Sequence, residues 1–113
     1  MITELRTYHI KRGHMAEWLE RWAESAAKNV ELGIRIEFAG VDPESQGTFV
    51  WARSFADEAE RQRLTGALYG SDWWKTVGDD VMSHVVTYEV RLIRTAFQHD
   101  DAAGFVNVWD PAG

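Results

Sequence analysis

Glu4, Arg6 and Tyr8 recur at every second position near the N-terminus. In an extended strand that spacing puts all three side chains on one face. Arg53 sits in a second strand-like run, Phe49-Val50-Trp51-Ala52-Arg53-Ser54-Phe55. If the two strands are neighbours, Arg53 can approach the first three. Such a set has a definite repertoire: Arg binds an anionic or enolate oxygen, Tyr donates a proton or hydrogen bond, and Glu orients Arg or acts as base. The same residues can also make a satisfied cross-strand ion pair with no chemistry at all. Residue type and spacing leave both readings open.

Aromatic residues offer a wall for such a pocket. The chain has six Trp in 113 residues. Trp is a costly way to fill a small core, because each ring is large and its N–H wants a partner. Trp18 and Trp22 lie at core-facing helical spacing, whereas Trp51, Tyr69, Trp73 and Trp74 are candidates for substrate binding. Adjacent helix residues cannot both point into a narrow stripe, so one of Trp73 and Trp74 is expected to face a pocket rim, a partner or solvent. Of the four histidines, His9, His14, His84 and His99, no pair has metalloprotease or facial-triad spacing, and no metal is expected. His84, placed at the start of a strand, is the candidate for proton transfer, since imidazole titrates near neutrality. The alternative is a strand-end surface residue. The run His99-Asp100-Asp101 reads as solvated tail.

Several classes are disfavoured. With 12 Lys+Arg against 18 Asp+Glu, the net charge is -6 and there is no basic run to follow a nucleic-acid backbone. There is no cysteine, hence no disulfide, thiolate nucleophile or Cys-based metal site. That fits a reducing cytoplasm, the expected location. The charged opening Met1-Ile2-Thr3-Glu4-Leu5-Arg6 is unlike a signal peptide, and no apolar stretch reaches the roughly 18 residues of a membrane span. Phosphate-loop, dinucleotide and G-x-S-x-G sequences are lacking, and no cofactor is expected. Haem needs only one axial histidine and remains an alternative.

The elements that must position these residues follow from periodicity. Alternation predicts a strand over 2–10. Met15, Trp18, Leu19, Trp22, Ala23, Ala26, Ala27 and Val30 predict the inward face of a helix, closed by Gly33. Strands over 34–41 and 48–55 flank the turn-rich 42–47. Asp57 with Glu60 resembles a capping box for a helix to about Tyr69, with Ala59, Leu64, Ala67 and Leu68 inward. Ser71 can cap a further short helix, and a long strand spans 83–95. The order β-α-β-β-α-β is the ferredoxin-like α+β arrangement, a four-stranded antiparallel sheet with helices on one face. Residues 1–95 form that domain. Residues 96–113 are a tail, either an added edge strand or an arm crossing to a partner.

Helices cover only one sheet face. Val86, Tyr88, Val90 and Leu92 on one side of the last strand, and Val85 and Ile93 on the other, make both faces apolar. A homodimer of packed sheets is the economical solution; a tail folded over the sheet is the competing one.

The opening Ile2-Thr3-Glu4-Leu5-Arg6-Thr7-Tyr8, the turn at Gly13, the strand from Phe49 to Phe55, the set Tyr69, Ser71, Trp74 and Lys75, and Glu89, Arg91 and Leu92 together resemble the NIPSNAP family. The resemblance covers about residues 1–95. It implies a ferredoxin-like fold and a dimeric α/β barrel. Relatives on that barrel include cofactor-free monooxygenases, haem-degrading enzymes, cyclases and isomerases. The expected function is therefore binding of a small, aromatic or polyketide-like molecule between sheet and helices, with cofactor-independent oxygenase, cyclase or isomerase activity in biosynthesis or catabolism. The alternatives are a non-catalytic binding or assembly protein and a haem-binding protein.

Overall fold

The computed structural model describes residues 1–112. The elements run β1 (Ile2–Ile10), α1 (Met15–Glu31), β2 (Arg35–Asp42), β3 (Ser45–Phe55), α2 (Glu58–Tyr69), α3 (Asp72–Met82), β4 (Val85–Arg94), β5 (Phe97–Asp100) and β6 (Gly104–Asn107). The first four strands to pair form one antiparallel sheet in the order β2-β3-β1-β4. This is the expected ferredoxin-like α+β fold, with the second helical region split in two. Gly70 closes α2, and the Ser71 hydroxyl accepts from Trp74 N–H to start α3.

Local chemistry sets the boundaries. The Asp57 carboxylate accepts from Glu60 N–H at 2.8 Å while Glu60 reaches back to Ala56 N–H, so two otherwise unpartnered donors are satisfied at the head of α2. At the end of α1, Gly33 takes φ +91°, and Gly33 and Ile34 N–H donate to the Val30 and Asn29 carbonyls. That is the paired closure that a left-handed glycine permits. The 42–47 turn is tighter than predicted: Asp42 and Ser45 are already a register pair.

Two helix faces differ from the hydrophobic pattern. On α1, Leu19, Ala23, Ala27 and Val30 are exposed, and Asn29 is buried. On α2, Ala59 and Ala67 face solvent, while Leu64 and Leu68 are buried and Arg61 turns partly inward. The two polar residues that turn inward meet polar partners there, Asn29 with Arg53 and Arg61 with Glu4.

The core has two parts. Tyr8, Ile10, Trp18, Phe49, Trp51 and Val81 form one, and Ile34, Phe55, Leu64 and Leu68 the other. Trp74 packs on the first and Trp73 on the second. Both are half-buried, one per cluster, and Trp74 is the one that also reaches an open cleft.

The tail does not join the main sheet. β5 and β6 pair with each other as a separate hairpin, not as an added edge strand. Gln98 donates to Glu37 at 3.1 Å and Arg35 donates to the His99 carbonyl at 3.0 Å. The hairpin therefore runs from β4, at one edge of the sheet, to β2 at the other. Among the described residues, no helix is long and apolar enough to cross a membrane.

Candidate functional site: an arginine–tyrosine cleft

Register places the polar set. Strands β1 and β3 are neighbours, with Glu4 directly opposite Arg53, Arg6 opposite Trp51 and Tyr8 opposite Phe49. All of these point to the helix-covered face. Glu4 and Arg53 are 0 % exposed and Arg6 is 8 % exposed.

Glu4 is the hub. Its Oε1 accepts from Arg6 Nε at 2.6 Å and Arg53 Nε at 2.8 Å, and its Oε2 accepts from Arg61 Nε at 2.8 Å. Burial alone would raise the Glu4 pKa; the charges of Arg53 and Arg6 outweigh it, and the net shift is downward. A carboxylate engaged by three guanidiniums is a poor base. Glu4 orients the arginines.

Arg6 donates from Nη1 to the Tyr8 hydroxyl at 2.8 Å. Arg53 donates from Nη1 to Asn29 Oδ1 at 2.8 Å and from Nη2 to the Tyr69 hydroxyl at 3.0 Å. Burial lowers the Arg6 pKa, but the neighbouring Tyr8, Tyr69 and Glu4 reverse this and hold it protonated. Burial raises the Tyr8 pKa against the opposing pull of Arg6, so at neutral pH Tyr8 is a neutral phenol. Each phenol spends a lone pair on a guanidinium and keeps its own O–H to donate. Tyr8 and Tyr69 are thus two donors polarised from behind by buried cations.

Both phenols line two adjoining spaces. The inner one is a cavity of about 30 Å³ bounded by Trp18, Trp51, Arg53, Tyr69 and Trp73, among others. Trp18 Nε1, Trp51 Nε1 and Ser25 Oγ are buried without a hydrogen-bond partner, and all three residues line this cavity. It is roomy enough for a water molecule, which needs roughly 10–15 Å³. The outer space is an open cleft of about 280 Å³ lined by Arg6, Tyr8, Tyr69, Trp74, Met82 and Tyr88. Trp74 crosses between them. Gly78 lets it, because a Cβ there would sit 2.8 Å from the Trp74 ring.

The fold therefore gathers Glu4, Arg6, Tyr8, Arg53, Trp51, Tyr69, Trp73 and Trp74 into one region. His84 lines neither space; it lies just before β4, against His14 and Glu17. Sequence reasoning missed Arg61 and Asn29. The only signal for them was a polar residue on an otherwise apolar helix face.

Such a domain belongs to the ferredoxin-like α+β class with a helix-covered polar floor. Within that class the chain belongs to the NIPSNAP family, whose model matches residues 3–98. Among solved structures it is similar to a NIPSNAP domain protein from Burkholderia xenovorans (TM-score 0.76, 18% identity, covering 85% of this chain and 95% of that one). It is also similar to a NIPSNAP family protein from Agrobacterium tumefaciens (TM-score 0.73, 22% identity, 81% and 82%). A structure named as an antibiotic biosynthesis monooxygenase shares the fold at TM-score 0.67 and 16% identity, covering 84% of this chain and 98% of that one. No curated protein matches the chain significantly.

Proposed function

We propose that this protein binds a small aromatic or polyketide-like molecule carrying an anionic or enolisable oxygen, and acts on it as a cofactor-independent oxygenase, cyclase or isomerase. One observation carries the reading: a single buried carboxylate, Glu4, faces three guanidiniums, and the excess positive charge stands behind two phenols in one cleft. An oxygen seated at Tyr8 and Tyr69 receives two hydrogen bonds whose strength grows as negative charge builds on it. Trp74 and Tyr88 supply flat apolar walls for rings. The shared fold with a protein named as a monooxygenase supports the reaction class.

The working unit in this reading is a homodimer. Tyr88, Val90 and Leu92 share the face of Glu4, Arg6 and Tyr8, yet the helices leave them exposed. Phe38 and Ile93 are exposed on the opposite face, and Phe97, Phe105 and Trp109 on and beside the tail hairpin. Apolar area on this scale supports a second copy as the cover.

Alizarin, a planar hydroxylated quinone that sheds a phenolic proton near neutrality, is a direct probe. Its absorbance is expected to shift saturably at one molecule per chain. Tyr8→Phe, which removes the hydroxyl that donates to the ligand and accepts from Arg6, is expected to weaken binding by about tenfold, near the value of one hydrogen bond to a charged group. Equal binding by wild type and variant would remove the proposal.

A further inference from the structure

We propose that His14, Glu17 and His84 form a site for a divalent first-row transition-metal ion, separate from the arginine–tyrosine cleft. The Nδ1 atoms of His14 and His84 lie 3.0 Å apart, and Glu17 Oε2 lies 3.8 Å from His84 Nδ1. All three ligand atoms fall within 4.8 Å of one another.

The backbone builds this grouping. His14 is the N-cap of α1, where a side chain usually bonds the free N–H groups of the first turn; its side chain makes no such bond and turns to His84 instead. Glu17 follows three residues later, on the same helix face. His84 comes from the junction of α3 and β4 and is buried. Its carbonyl accepts from Lys11 N–H at 2.9 Å, and the Lys11 carbonyl accepts from His14 N–H at 2.9 Å. Two segments far apart in sequence are therefore pinned together by main-chain bonds, and the imidazoles are brought into register whether or not they bond each other.

The donor set suits such an ion. With metal–nitrogen bonds of about 2.1 Å, a nitrogen separation of 3.0 Å subtends about 90° at the metal, and an opening of a few tenths of an ångström gives the tetrahedral angle. The Glu17 carboxylate is exposed, so a rotamer change can complete the set. Two imidazoles and a carboxylate match the preferences of Zn2+, Ni2+, Cu2+ and Fe2+ and leave positions for water or a further ligand. Sequence spacing hid the site because its second histidine arrives through the fold.

The test uses the untagged full-length chain, stripped with a chelator and titrated calorimetrically with Zn2+, with Co2+ visible absorption as a second readout. One ion per chain is expected. His14→Ala and Glu17→Ala, both at side chains with solvent access, are expected to weaken Zn2+ by about tenfold or more, since even outer partners of metal ligands have effects of that size. The Co2+ bands should disappear in His14→Ala. His99→Ala, in the tail, should leave both unchanged. Absence of saturable binding, wild-type affinity in a folded His14→Ala chain, or loss of binding in His99→Ala would each overturn the site. Any of these leaves the cleft proposal intact, because no cleft residue is altered.

Discussion

Glu4→Gln tests the physics of the buried network most severely. The substitution keeps shape and removes one charge. Among the described residues, Arg53, fully buried, and Arg6, nearly so, then lose their only anionic partner, and Arg61 keeps only Glu58 at the surface. Removing one partner of a buried ion pair costs about 3–5 kcal/mol, because it strands the other charge. With a urea m-value of about 2 kcal/mol/M, the unfolding midpoint at neutral pH should fall by about 2 M with the slope unchanged. Acid adds a second signature. The folded Glu4 pKa is lowered from its ordinary 4.5. Its stabilisation is therefore present above about 4.5 and is lost as the pH falls through the folded value. Wild type should lose more stability over that interval than the Gln variant, which keeps acid-sensitive groups such as Asp100 but lacks Glu4, and the two should converge in acid. Urea titrations at several pH values and one fixed protein concentration measure this. A neutral-pH loss below about 1 kcal/mol, or parallel pH profiles, would refute the reasoning.

Two further outcomes are expected. Gly78→Ala gains roughly 1 kcal/mol of helix propensity but drives a methyl group into the Trp74 ring, an overpacking cost of about 1–3 kcal/mol; a lower Tm and weaker alizarin binding should result, and a higher Tm would contradict the contact. Ile93→Asp places a charge on the sheet face opposite the helices and should shift the proposed homodimer towards monomer in sedimentation equilibrium; a monomeric wild type would contradict the proposed assembly.

Much of the fold was legible in the sequence because local signals agreed. Period-two alternation marked the strands, the Asp57–Glu60 box opened α2, and Gly33 closed α1 where it was expected. The element order makes β1 and β3 neighbours, which is why Glu4, Arg6, Tyr8 and Arg53 could be grouped beforehand. What escaped were side chains whose burial depends on distant partners. Asn29 and Arg61 look like surface residues until Arg53 and Glu4 are placed opposite them. His84 was singled out by residue type alone, and its neighbours, His14 and Glu17, come from another segment of the chain. The tail was expected as an edge strand or an arm crossing to a partner, and nothing local announced the self-paired hairpin.

The central claim is that the Tyr8 and Tyr69 hydroxyls, backed by Arg6 and Arg53, receive a ligand oxygen. A crystal structure of the protein with alizarin tests it most directly. The account predicts a phenolic oxygen within about 3 Å of both tyrosine hydroxyls, with the rings between Trp74 and Tyr88. Alizarin ordered elsewhere on the molecule, with those hydroxyls bonded only to the arginines and to water, would contradict it.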